Sequence, residues 1–227
     1  MCKFFSFVTD PINHPAEYYY FDWQYRKENL DDDGADSHSH ICAHFKLGED
    51  RCNKYEFNPL IGKFEIDQVN SERDDSDAAE KWANRLDFKT VVEPLIVKPI
   101  VNPFELPEVT EVTAEHIQWL HEWASVRSSV WDSVWASVGD SVWDSVGASV
   151  RSSVWASVRS SVGDSVWSSV GDSVWAYLST FFSVDYQHNY SSAAKLWEAG
   201  LVPSFDGRSW RLHTGKDAKI VYEERER

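Results

Sequence analysis

Residues Ser125–Ala176 read SVRS SVWD SVWA SVGD SVWD SVGA SVRS SVWA SVRS SVGD SVWS SVGD SVWA, thirteen tetrads without an insertion. Valine recurs at every fourth residue from Val126 to Val174, the third place holds Trp, Arg or Gly, and the fourth holds Asp, Ala or Ser. A fixed short period is the mark of a repeat architecture. In an α-helix a spacing of four against 3.6 residues per turn shifts the valine stripe by about 40° per tetrad, so over thirteen tetrads no single face stays apolar. Ser, Val, Trp and Asp are middling to poor helix formers, and the four glycines each cost about 1 kcal/mol relative to Ala. A disordered linker would leave thirteen Val and six Trp in water. The spacing therefore predicts a β-solenoid with Val inward, a small residue at each corner and the variable third place outward. Steps of twelve residues align Trp131, Trp143, Trp155 and Trp167 in one column, which favours a triangular coil and leaves a four-sided one open.

Working outward, the expected organisation is an acidic α+β domain over 1–124, the solenoid over 125–176, and a helix plus β-hairpin cap over 177–227. The fold class is mainly β with an α+β flank. In the first segment the patterning predicts strands over Lys3–Thr9 and Tyr18–Trp23 and a helix started by Asp36 or Ser37 and ended by Gly48. A hairpin through Tyr55, Phe57, Phe64 and Ile66 follows, then a helix from Asp75 or Ser76. A strand over Val91–Val97, a Pro-punctuated connector and a helix from Thr113 complete it, the last capping the first coil. After the repeat come a helix at Ser191–Ser192 stopped by Gly200, an Asp206–Gly207 turn, and strands at Trp210–Leu212 and Ile220–Tyr222.

The chain has 227 residues and a net charge of −15. Residues 1–124 carry −13 of it, 125–176 carry −2, and 177–227 are neutral. That field repels phosphate backbones, and no Lys/Arg stripe exists, so general nucleic-acid binding is disfavoured. No apolar run is long enough to span a membrane. The opening MCKFFSFVTDP lacks a small-residue cleavage site and reads as a strand, not a leader. With three cysteines and no secretion signal, the expectation is a cytoplasmic protein, or one of the host cytoplasm if phage-encoded.

Candidate chemistry is sparse. Cys2 could become an N-terminal nucleophile after methionine removal, resembling N-terminal-nucleophile amidohydrolases, although Lys3 departs from the glycine of the amidotransferase branch. His38, His40, Cys42, His44 and Cys52 cluster within fifteen residues, yet fit no strong zinc signature and read by default as a polar helix surface. Asp31-Asp32-Asp33-Gly34 has no Glu at the twelfth place of a calcium loop and reads as a solvated turn. Phosphate loops, serine elbows and HExxH are absent, and no cofactor is expected.

The opening MCKFFSFVTDP, the NKYEFNPL hairpin, the Ser-Val tetrads and the closing LWEAGLVPSFDGRSWRLH together resemble proteins of bacteriophages and gut-type bacterial metagenomes. That likeness covers most of the chain and implies a phage-type origin without an activity. The repeat is also loosely similar to pentapeptide-repeat β-solenoids, some of which mimic DNA; at −2 this repeat is a poor mimic. The leading expectation is a non-enzymatic binding or assembly protein. Its contact face would comprise Trp131, Trp135, Trp143, Trp155, Trp167 and Trp175 with Arg127, Arg151 and Arg159. The partners would be a second copy, a host protein or a small nucleotide ligand. The alternative is a hydrolase using Cys2, with the solenoid as a handle.

Overall fold

The computed structural model describes residues 5–29, 36–142, 147, 151–152, 155 and 164–225, with the side chains of 139–142 and 164–169 left aside. The described residues fall into two compact units that part between Val97 and Lys98, with 140–142 and 147 counted to the first.

In the first unit β1 (Phe5–Thr9), β2 (Asn53–Asn58) and β3 (Lys63–Gln68) form an antiparallel sheet in that order, with Phe7 opposite Tyr55 and Phe57 opposite Phe64. Alternation along β1 sends Phe5 and Phe7 to one face and Val8 to the other, and every residue of the strand is buried. Trp82 of α3 (Ser76–Ala83) meets Phe7 at 4.8 Å and stacks on Tyr18 at 4.3 Å. On the opposite face Val8 joins Phe21, Ile41, Cys42 and Cys52. Ile41 and Cys42 come from α2 (His38–His44), whose Ser37 caps it as expected by accepting from the His40 N–H. Asp75, just before α3, accepts from Thr9 Oγ1, Asn53 Nδ2 and Tyr55 Oη at 2.7–3.0 Å and ties the sheet to the helix.

Two strands expected in this unit do not form. Around Tyr18–Trp23 only Tyr19 bridges to Val8, and the chain turns at once into α1 (Trp23–Glu28), capped by Asp22. Around Val91–Val97 the chain makes a 3-10 turn at Phe88–Thr90 and further turns, because Pro94 has no amide to give a ladder.

The second unit overturns the solenoid and with it the mainly-β fold class. The repeat is helical wherever it is described, and the architecture is mixed α+β. Thr113 caps α4 (Ala114–Val126) reciprocally with His116, and α4 runs into the first tetrad. A 3-10 turn at Arg127–Ser129 interrupts the helix, and α5 (Val130–Val142) and α6 (Asp164–Ser179) carry repeat sequence as α-helix. The drift of the valine stripe is real but short. From Val130 through Val134 to Val138 it amounts to about 80°, within the width of one buried helical face, and all three valines are buried. On α6 Val170 and Val174 are buried, and Leu178 continues the same spacing beyond the repeat. Serine survives inside the helices because its hydroxyl bonds back along the chain: Ser173 Oγ donates to the Val170 carbonyl and Ser179 Oγ to that of Ala176, both at 2.7 Å.

After the repeat, α7 (Ser191–Glu198) buries Leu196 and Trp197 and ends at Gly200, whose φ of +79° closes the helix with Leu201 N–H on the Leu196 carbonyl. Its first N–H, on Ser191, donates to Asn189 Oδ1, and neither Ser191 nor Ser192 caps it. The expected hairpin is present as β5 (Ser209–Thr214) and β6 (Lys219–Arg225), but β4 (Val202–Phe205) adds a third strand on the other side of β5. Helix and sheet form a packed domain with α4, α6 and α7, not the lid of a coil.

Candidate binding face

The third place of the tetrad has no single fate in this unit. On α5, Trp131 and Trp135 lie one helical step apart, 52% and 36% exposed, with rings stacked at 6.1 Å and 16°. On α6 the equivalent Trp175 is buried, meets Trp131 edge-on at 6.3 Å, and has the Arg151 guanidinium 5.9 Å from its ring centre. Trp175 thus anchors a pair of indoles that α5 presents to solvent. Arg127 is tied down: it pairs with Asp172 at 2.6 Å and covers Phe205 and Trp210 at 4.9 and 5.6 Å. Trp155 is half-buried and reaches within 4.0 Å of where a Cβ on Gly171 would stand. The side chain of Trp167 and the residues Trp143 and Arg159 lie outside what is described. The twelve-residue column belonged to a triangular coil and falls with it; what the structure brings together is Trp131, Trp135, Trp175 and Arg151.

The histidines of the cluster take separate local partners. Nε2 of His38 meets the Tyr55 carbonyl at 3.0 Å and Nδ1 faces Asp67 at 3.3 Å, His40 meets the Tyr25 hydroxyl at 3.1 Å, and His44 packs edge-on against Tyr25. Among the described residues no three His, Cys, Asp or Glu groups are placed to hold a metal. Cys2 and the 31–34 acidic turn lie outside the described residues. A shallow cavity of about 440 Å³ in the first unit is lined by apolar and polar groups alike, among them Phe57, Phe88, Leu95, Asn84 and Lys89. Among its polar groups, Asn84 donates to the Glu80 carbonyl and Asp87 accepts from the Lys89 N–H.

One contact was not legible in the sequence. Ser204 on β4 and His213 on β5 are both buried, with Oγ and Nε2 2.7 Å apart, while Nδ1 lies 2.9 Å from the Ala218 carbonyl. A carbonyl only accepts, so Nδ1 carries the proton and Ser204 donates to Nε2. The order resembles a nucleophile, a base and an orienting group, but the pair is sealed between two strands and satisfies buried polar atoms. Burial lowers the His213 pKa. Above pH 6.5 the ring is neutral folded or unfolded; as pH falls below 6.5 the unfolded chain takes up a proton that the folded one resists, so stability declines. Urea midpoints of the second unit should therefore drop as pH falls below 6.5, and a His213→Gln variant should lack that component; a variant with the same pH slope would place its origin elsewhere. Finding the pair from sequence required β4, and its edge-strand Pro203 hid that strand.

No protein family, curated protein or solved structure matches this chain. Among the described residues no helix is long and apolar enough to cross a membrane.

Proposed function

We propose that the chain is a non-enzymatic assembly protein whose copies associate through the indole pair Trp131 and Trp135. The observation that carries this reading is a stacked, solvent-facing aromatic pair on a helix whose opposite face is packed. Large aromatics ordered in advance lose little entropy on binding and dominate interface energetics. The occupant is a second copy: two chains of −15 repel, and a face on the repeat, at −2 against −13 for 1–124, keeps that repulsion low. A helix-borne face replaces the solenoid-borne one expected from sequence, and the phage-type setting implied by the resemblance suits a small assembly component.

Light scattering on the full chain across a concentration series tests this. The wild type is expected as an oligomer, and Trp131→Ser/Trp135→Ser as a monomer with an unchanged far-UV spectrum; losing a hot-spot residue costs at least about 2 kcal/mol, some 30-fold in Kd. A wild type that stays monomeric, or a variant that associates equally well, defeats the proposal. A monomer that binds nucleotides by stacking would move the face to small-ligand capture.

A further inference from the structure

Cys42 and Cys52 stand ten residues apart in sequence, and the fold places both side chains in one buried cluster. The intervening chain turns twice. At the end of α2, Leu47 N–H donates to the Cys42 carbonyl at 2.8 Å and Lys46 N–H to that of Ala43 at 3.2 Å, with Lys46 forced to a φ of +58°. A 3-10 turn at Glu49–Arg51 then delivers Cys52 to the start of β2. Both thiols are reduced, and at 2% and 0% exposure they share an apolar pocket with Val8, Phe21 and Ile41. One buried cysteine packs as a small hydrophobe. Two in one buried cluster, on elements joined by a short closed loop, are neighbours that a disulfide could join.

The two sulfurs are unequal. A hydrogen bond from the Cys52 thiol holds the Cys42 pKa below its ordinary value against burial and the Glu49 carboxylate, while the same bond and burial push the Cys52 thiol up. Cys42 is accordingly the attacking thiol and Cys52 the resolving one.

We propose that Cys42 and Cys52 form an oxidative modification site, a dithiol that a small hydroperoxide converts to an intramolecular disulfide. The Cys42 thiolate attacks the terminal peroxide oxygen, the O–O bond breaks, and the departing alkoxide or hydroxide takes a proton, leaving a sulfenic acid on Cys42. Cys52 then gives up its proton and attacks that sulfur, and the hydroxyl leaves as water. Two thiols lose two electrons, and the peroxide is reduced to one alcohol or water molecule plus the water released at closure. Burial restricts the oxidant to small hydroperoxides and disfavours bulky disulfides. Closure fastens α2 to β2.

The test treats the reduced full chain with hydrogen peroxide, alkylates it under denaturing conditions and maps the peptides. Expected are a Cys42–Cys52 linkage two hydrogens lighter than the dithiol, an alkylated Cys2, and an upward shift in the urea midpoint of the first unit that dithiothreitol reverses. In Cys52→Ser, dimedone should trap the sulfenic acid on Cys42 and the midpoint shift should vanish. Recovery of both Cys42 and Cys52 as free thiols after peroxide, or a linkage through Cys2, overturns the site. The wild-type map alone decides this if the variant does not fold.

Discussion

Val134→Asp is expected to unfold the helical unit, whereas Trp131→Asp, three residues earlier on the same helix, leaves it folded. Val134 is fully buried on α5, and its burial contributes about 1.5–3 kcal/mol. A carboxylate in its place has no partner supplied by the Val stripe, and leaving such a group unpaired adds several kcal/mol more. The sum, upwards of about 4 kcal/mol, is comparable with the whole stability of a small domain. Trp131 is half in solvent, and losing its ring contacts with Trp135 and Trp175 costs about 1–3 kcal/mol, less than the burial of a carboxylate at Val134. Ser173→Glu separates helix from strand directly. Ser173 and Val174 are neighbours and both buried, as a helix surrounded by other elements allows, whereas strand residues alternate faces and would have put Ser173 outward. Loss of the second unit's cooperative transition in Val134→Asp and Ser173→Glu, with retention in Trp131→Asp, is the expected pattern. A stable Ser173→Glu protein would restore the strand reading.

The repeat misled for an identifiable reason. Drift of about 40° per tetrad excludes a continuous helix over Ser125–Ala176, but not shorter ones in which three valines span about 80°. The interruption at Arg127–Ser129 resets the phase, and nothing in the tetrad pattern marks it, because SVRS recurs from Ser149 and Ser157. Propensity was the weaker argument. The cost of Ser and Gly in a helix is tenths to one kcal/mol per residue, and burial of valines, Tyr177, Leu178 and Trp197 in one unit outweighs it. Local signals fared better where they carried stereochemistry: Ser37 and Thr113 cap helices, Gly200 ends one, and the hairpin through Tyr55, Phe57, Phe64 and Ile66 forms. As for the site, exposure of Trp131 and Trp135 followed from the variability of the third place, but burial of Trp175 did not. That residue is set by what α6 packs against, which no four-residue pattern encodes.

Long-range polar pairs were the other blind spot, and one of them controls the first unit. Arg26, on α1, is almost wholly buried. Its Nη1 and Nη2 meet Oδ2 and Oδ1 of Asp36 at 2.8 and 2.7 Å, and Nε donates to the Phe21 carbonyl at 3.0 Å. Nε and Nη1 have hydrogen-bond acceptors, while Nη2 meets Oδ1 as an ion contact without hydrogen-bond geometry, so the charge is paired and tolerated where an unpaired one would not be. Desolvation still prevails over the arginine at Asp36, whose pKa is raised, so its carboxylate is held in a medium that penalises it. Arg26→Met removes the compensating charge and leaves that carboxylate stranded, at an expected cost of about 3–5 kcal/mol. Hydrogen exchange at the β1–β2 amides should accelerate accordingly. The deficit should shrink in acid, because protonating Asp36 removes the uncompensated charge. Replacing both partners, Arg26→Met with Asp36→Leu, should recover most of the loss, since two apolar groups leave no charge to desolvate. A double variant as unstable as Arg26→Met would mean that the loss comes from the Phe21 carbonyl and the packing over Phe5, not from the ion pair.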